Sequence, residues 1–261
     1  MKIFVYEFIT GGGLAREPLP ASLAREGDLM TQALARDLGD LPDVEVWMSR
    51  DPRLAPLGGV RTLRPAPGEE PLAAYQRMIQ TCDAAWPVAP ETGGMLEAFS
   101  RATLQSGKAL LSSRPEAVAV AGSKRATAQT LAARGIAALP AFLDGETLPD
   151  IPGPWVVKPD DGAGCTDTFV WLGRARAREW LAARGAGFIA QPWIEGEALS
   201  LSALFADGKA RLLTVNRQHL SLTNGRVALE ALTVNAVPDA ERRYARLAGG
   251  VARALPALWG Y

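Results

Sequence analysis

The stretch Trp155-Val-Val-Lys-Pro-Asp-Asp-Gly-Ala-Gly-Cys-Thr-Asp167 constrains the chain more than any other. Apolar, β-branched Val156 and Val157 deliver one lysine, Lys158, and the chain then enters an acidic loop holding Gly162 and Gly164. A second apolar run, Thr168-Phe-Val-Trp-Leu172, follows, and two such runs about a glycine-bearing loop predict a β-hairpin. The glycines leave backbone amides free to approach an anion closely, and Lys158 sets a positive charge beside them. The loop therefore fits a phosphate cover; the alternative is a surface hairpin with an ordinary turn.

The first 112 residues alternate strand and helix patterns. Residues 3–9 read as a buried strand, followed by the sharp turn Thr10-Gly-Gly-Gly13 and a helix over 21–38 with an apolar face at Leu23, Met30, Leu34 and Leu38. Strands at 44–47, 84–88 and 109–111 and helices at 71–82 and 92–106 complete a pattern that predicts a doubly wound parallel sheet. Ligands sit beyond the carboxyl ends of such strands, where both Thr10–Gly13 and Glu91-Thr-Gly-Gly94 fall. The triple glycine lacks a full GxGxxG and the acid that a nicotinamide ribose needs, which argues against a dinucleotide dehydrogenase.

The second part is organised around hairpins. A helix is expected over 115–135 with Lys124 near its middle, then the Lys158 hairpin, a helix over 174–184 and a strand over 188–194. Asp207-Gly208 joins two apolar runs, 199–205 and 210–215, as a hairpin signal. Two more strands follow Asn224-Gly225, around Val227 and Leu232, and a helix is expected over 239–255.

Three wider features carry a resemblance. Gly122-Ser-Lys124, an amphipathic run and Gly135-Ile136…Pro140 precede the hairpin; Gly187-Phe-Ile-Ala-Gln-Pro-Trp-Ile-Glu-Gly-Glu197 follows it; and Val5-Tyr-Glu-Phe-Ile-Thr-Gly-Gly-Gly13 with Trp86-Pro-Val-Ala-Pro-Glu-Thr-Gly-Gly94 lies upstream. Lysine, helix, strand, second lysine, glycine loop and Gln-x-Trp-Ile-Glu-Gly resemble the ATP-grasp superfamily. The N-terminal motifs are similar to its tyramine–glutamate ligase group. The resemblance implies a mixed α/β and α+β chain with an ATP-grasp fold: a Rossmann-like pre-ATP-grasp domain over 1–112, a small lid lobe over 113–190 and a large lobe over 191–261. In that fold ATP lies between two lobes.

Site residues follow from the same match. Lys124 and Lys158 stand 34 residues apart, so only the fold could bring both ammonium groups to one phosphate tail, with Gly162 and Gly164 covering it. Adenine needs an apolar slot ending in polar groups, and Gln191, Trp193 and Ile194 offer one. Glu197 occupies the family position that bonds ribose hydroxyls. Arg217, in Val215-Asn-Arg-Gln218, could grip a phosphate or carboxylate bidentately, or be an edge-strand arginine. Glu7 and Glu91 could hold a substrate ammonium, or act as capping or surface acids. His219, the sole histidine, reads as structural.

The family binds magnesium through an acid and a Glu-x-Asn pair near its C-terminus, and no such pair follows the hinge here. The reading is that the last strands are missing and the Mg2+ ligands belong beyond Tyr261, with no metal ligand assigned in the chain itself. Glu230 and Asn235 do not restore the pattern.

Composition narrows the partners. Basic and acidic residues number 28 each, so net charge points to no polyanion and nucleic acid is not favoured. Only five basic residues are lysine, and two of these stand at the expected phosphate contacts. Cys82 and Cys165 show no CxxC spacing and read as free thiols in a reducing compartment. The N-terminus lacks a signal peptide and nothing approaches the roughly 20 apolar residues of a membrane span, so a cytoplasmic protein with no membrane partner is expected. Homo-oligomerisation is left open. The expected activity is an ATP-dependent carboxylate–amine ligase that works through an acylphosphate, joining glutamate to tyramine or a similar amine in making methanofuran-type cofactors. The rivals are another ATP-grasp ligase or kinase, separable by a phosphate-release screen, and a non-catalytic nucleotide-binding protein.

Overall fold

A computed structural model describes residues 1–260 and separates the chain into two compact units, 1–115 and 116–261. Tyr261, where the sequence reading placed the chain's break, lies outside the described residues.

The N-terminal unit is a five-stranded parallel sheet in the order β3-β2-β1-β4-β5. Its strands are β1 (Lys2–Glu7), β2 (Glu45–Ser49), β3 (Arg61–Leu63), β4 (Ala84–Val88) and β5 (Ala109–Leu110). The helices are α1 (Ala21–Gly39), α2 (Pro71–Met78) and α3 (Met95–Gln105). Strand alternation assigns β1 to two cores. Phe4 and Tyr6 pack with Tyr75 and Met78 of α2 and Phe99 of α3, while Ile3 and Val5 pack with Val46, Met48 and Leu38 of α1. Each fully buried side chain of this kind contributes about 1.5–3 kcal/mol.

Two expectations are corrected here. Leu23 and Met30, expected in the buried face of α1, are exposed; the buried residues are Ala24, Gly27, Thr31 and Leu38. Small residues are needed because α1 crosses the buried turn after β1, and a Cβ on Gly27 would lie 2.4 Å from Glu7 Oε2. Strand β3 gave no sequence signal: it is a three-residue edge strand of Arg-Thr-Leu.

The second unit opens with α4 (Pro115–Gly122) and α5 (Lys124–Ala132). The single helix expected over 115–135 is therefore two. Ser123 breaks it with an extended backbone (φ −108°, ψ 119°), and its Oγ accepts a hydrogen bond from Ala126 N at 3.0 Å. Lys124 opens the second helix instead of sitting mid-helix. A six-stranded sheet follows in the order β8-β6-β7-β11-β10-β9, all pairs antiparallel. Its strands are β6 (Trp155–Pro159), β7 (Phe169–Trp171), β8 (Phe188–Pro192), β9 (Leu199–Ala206), β10 (Lys209–Thr223) and β11 (Arg226–Thr233). The helices α6 (Arg174–Arg184) and α7 (Arg243–Ala254) complete the unit.

The β6–β7 hairpin forms as read, with Trp155, Val156 and Val157 opposite Trp171, Val170 and Phe169. Other readings shift. The strand expected at Gly135–Pro140 is irregular chain, and only Phe142 bridges to Ala190. The two strands expected near Val227 and Leu232 are one, β11. Helix α7 starts at Arg243 because the Asp239 carboxylate caps it, accepting from Tyr244 N (2.9 Å) and Ala245 N (2.8 Å).

Candidate nucleotide site

Alternation along β6 builds the site. Trp155 and Val157 point into the core beneath α6, with Ala177 and Leu181, so Val156 and Lys158 point to the opposite face. Residues directly across an antiparallel pair share a face. Val156 stands opposite Val170 and Gln191, and Lys158 opposite Ile189. That face carries an apolar patch of Val156, Val170 and Val227, against which Trp193 and Cys165 pack. It thus holds one ammonium, one amide and an apolar strip between strands.

The glycine loop after β6 is tied to α5. The Lys124 ammonium lies within hydrogen-bonding distance of four carbonyls, of Pro159 (2.9 Å), Asp160 (3.2 Å), Asp161 (2.8 Å) and Gly162 (3.0 Å). Asp160 answers from the other side: its carboxylate accepts from Ser123 Oγ (2.6 Å) and Arg125 N (2.8 Å). Asp160 is thereby the N-terminal anchor of α5, a role that needs no intervening cation. A serine before a helical lysine is a helix-start signal, and reading it would have located this break. Gly162 (φ 82°) and Gly164 (φ 67°) adopt left-handed backbone, with nothing within 4 Å of either would-be Cβ. The glycines serve the loop's path and leave open space beside it.

Lys158 differs from Lys124. Its ammonium has no hydrogen-bond or ion-pair partner among the described residues. Burial pushes its pKa down, and the neighbouring Lys124 pushes it further. Lys124 is also held below the ordinary lysine value by burial, with Asp160 and Asp161 opposing. The two ammonium groups are thus within electrostatic reach of each other. A partly buried cation repelled by a second cation, and without a protein counter-charge, favours an anion.

The remaining candidates are distributed as follows. Gln191 is buried and donates from Nε2 to Leu139 O at 3.1 Å. Trp193 continues the strand through a bond from its N–H to Pro154 O (2.9 Å), and its indole donates to Glu195 Oε1 (2.7 Å). Ile194 is exposed. Glu197 and Arg217 meet each other, Nε to Oε1 at 2.6 Å, with both side chains about half exposed. Asn216, buried and overlooked in the sequence, donates to Ser202 Oγ (3.2 Å) and accepts from Asn235 N (3.0 Å). His219 bonds Thr233 Oγ1 at 2.8 Å on the exposed side of the β10–β11 pair.

In the N-terminal unit, Glu7 is buried and accepts from Ile9 N (3.1 Å), Thr10 N (2.7 Å) and Thr10 Oγ1 (2.7 Å), which is the capping role. Glu91 is exposed ahead of the Thr92–Gly94 turn. Of the three glycines after β1, Gly12 and Gly13 are sterically constrained, since would-be Cβ atoms would meet Pro65 Cγ at 2.6 Å and Phe8 O at 2.5 Å, while one on Gly11 would press on the Tyr6 ring at 3.2 Å. Cys82 and Cys165 are free thiols. Among the described residues no cluster of three or more His, Cys, Asp or Glu side chains could hold a metal ion, and no helix is long and apolar enough to cross a membrane.

Comparison with known proteins bears on the fold and the family. No curated protein matches the chain. Residues 44–118 match the pre ATP-grasp 3 domain and residues 121–261 the ATP-grasp domain. Among solved structures, the whole chain superposes on 73% of an ATP-grasp superfamily protein from Archaeoglobus fulgidus (TM-score 0.65, 21% identity). It also covers 59% of the L-amino acid ligase from Bacillus licheniformis, with 98% of its own length aligned (TM-score 0.63, 15% identity). The D-alanine–D-alanine ligase of Bacillus anthracis complexed with ATP is covered to 78%, again with 98% of this chain aligned (TM-score 0.62, 16% identity). These structures share the fold. With the ATP-grasp domain model spanning more than half of its residues, the chain belongs to the ATP-grasp family.

Proposed function

We propose that this protein is an ATP-dependent carboxylate–amine ligase. The observation that carries the reading is the partnerless, partly buried Lys158 ammonium beside Lys124 and the glycine loop, on the sheet face that also bears Gln191 and the Val156–Val170–Val227 strip. Those residues fit ATP: ammonium groups and loop amides for phosphate, the strip and Trp193 for a flat apolar base, Gln191 for its polar edge, and Glu197 for ribose hydroxyls. Bound ATP would supply a phosphoryl group that turns a substrate carboxylate into an acylphosphate, from which an amine displaces phosphate to leave an amide.

The chain's own residues then have distinct tasks. Lys124 fixes the loop by its carbonyl contacts, and Lys158 offsets phosphate charge from the sheet face. Arg217, once released from Glu197, could hold a phosphate or substrate carboxylate bidentately. Of the two N-terminal acids, Glu91 is the candidate for a substrate ammonium, because the Glu7 oxygens already accept from their own turn. For Mg2+ the described residues provide no ligand set, so no step is assigned through it. The N-terminal motifs, 5–13 and 86–94, resemble those of tyramine–glutamate ligases and favour glutamate and tyramine as the substrates. The protein is incubated with ATP, glutamate and tyramine, and ADP release is followed in a coupled assay with amide formation checked by mass spectrometry. ADP release that requires both substrates supports the ligase; ATP binding with no turnover across an amine and carboxylate panel favours a non-catalytic nucleotide-binding protein.

A further inference from the structure

A cleft whose charged lining is all arginine lies between β10 and α7. It encloses about 630 Å³ and is lined by Arg211 of β10 and by Arg242, Arg246 and Arg253 at the start and along α7. Arg246 and Arg253 stand seven residues apart on one face of α7, and Arg242 precedes the helix with left-handed backbone (φ 54°). Gly249, on the same face, keeps the floor low; a Cβ there would come within 3.4 Å of Arg253 Nη1. No carboxylate lines the cleft, and none of the four guanidiniums forms an ion pair among the described residues. Their one recorded hydrogen bond is from Arg246 Nη1 to Glu241 O (2.7 Å).

Elsewhere the chain's arginines are mostly paired with acids: Arg53 with Asp51, Arg77 with Glu69 and Arg125 with Glu146. In a chain of zero net charge, four guanidiniums without an ion pair around one concavity are the exception, with the Asp239 carboxylate at the helix start acting on Arg246 only from a distance. Like charges gathered on one helix face destabilise it unless a counter-charge arrives. The planar fork of arginine suits phosphate oxygens, and the cleft volume is that of a small-molecule site.

We infer that the β10–α7 cleft binds a small polyanion bearing at least two phosphate groups, at a site separate from the Lys158 face. Tripolyphosphate serves as the probe, titrated calorimetrically at low salt into the wild-type protein, Lys158→Met, and the double variant Arg246→Ala/Arg253→Ala. Lys158→Met removes phosphate contacts on the other face and leaves the cleft untouched. The expected result is tripolyphosphate binding that persists in Lys158→Met and weakens by roughly tenfold per arginine removed in the double variant. Its affinity should also fall steeply with added salt. Binding lost in Lys158→Met, or unchanged in the double variant, overturns the inference. So does a concentration-dependent dimer that the double variant abolishes in a protein that binds no tripolyphosphate, which would assign the cleft to a second copy of the chain.

Discussion

Replacing Lys158 with methionine should make the ligand-free protein more stable while removing its hold on nucleotide. The ammonium is partly buried, lacks a partner among the described residues, and sits in the field of Lys124. Methionine matches the length of the stem without the charge. Exchanging an uncompensated buried charge for an apolar side chain of similar volume should stabilise by on the order of 1 kcal/mol. In a chain of this size that raises Tm by about 2–4 °C. Losing a charge-assisted phosphate contact costs about 1.5–3 kcal/mol, a rise in the Kd for ATP of roughly 10- to 150-fold. The pH dependence has a definite sign. Lys158 has a folded pKa below its ordinary 10.5, so the penalty is fully present below the folded value and disappears as pH rises toward 10.5. Wild-type stability should gain on Lys158→Met as pH climbs through that alkaline window. Thermal unfolding between pH 7 and 10.5, paired with calorimetric ATP titration, measures both effects. A variant that melts lower than wild type and binds ATP equally well would refute the reasoning.

Three further outcomes follow from the same geometry. Lys124→Ala should behave oppositely to the Lys158 change, destabilising the protein by roughly 2 kcal/mol and speeding amide exchange across residues 160–167, because its ammonium is shared among four loop carbonyls; unaltered exchange would argue against an anchoring role. Gly12→Ala meets both a φ of 99° and a 2.6 Å approach to Pro65 Cγ, and should cost about 2 kcal/mol or more in chemical denaturation, while Gly58→Ala, with open space around it, should be near neutral. Glu146 has its carboxyl pKa lowered to about 2 by the Arg125 guanidinium and then by Leu143 N–H, so an NMR titration should find the pair intact at pH 4 and protonated only near pH 2; an ordinary carboxylate midpoint would contradict the pairing.

Local chemistry made much of this structure readable. The β6–β7 hairpin was legible because Val-Val-Lys and Phe-Val-Trp flank two glycines, and strand alternation alone then sends Lys158 away from Trp155. The parallel unit was legible from alternating strands and helices, apart from β3, whose three residues carry no apolar period. What escaped reading depended on contacts distant in sequence. The buried stripe of α1 keeps Leu34 and Leu38 near its end, as read, but is small at Ala24 and Gly27, where its partner is the Glu7 turn. The division between α4 and α5 rests on Asp160, 37 residues beyond Ser123. The pairing of Glu197 with Arg217 spans 20 residues and joins two side chains that the sequence had assigned separately to ribose and phosphate. The arginine cleft draws on β10 and α7, which no linear motif connects.

A crystal structure with a non-hydrolysable ATP analogue tests the central claim most directly. The account requires the terminal phosphates within roughly 3 Å of Lys158 Nζ, beneath Gly162 and Gly164, with the base on the Val156–Val170–Val227 strip near Gln191. Nucleotide bound elsewhere, with the Lys158 ammonium still unpartnered, would contradict it.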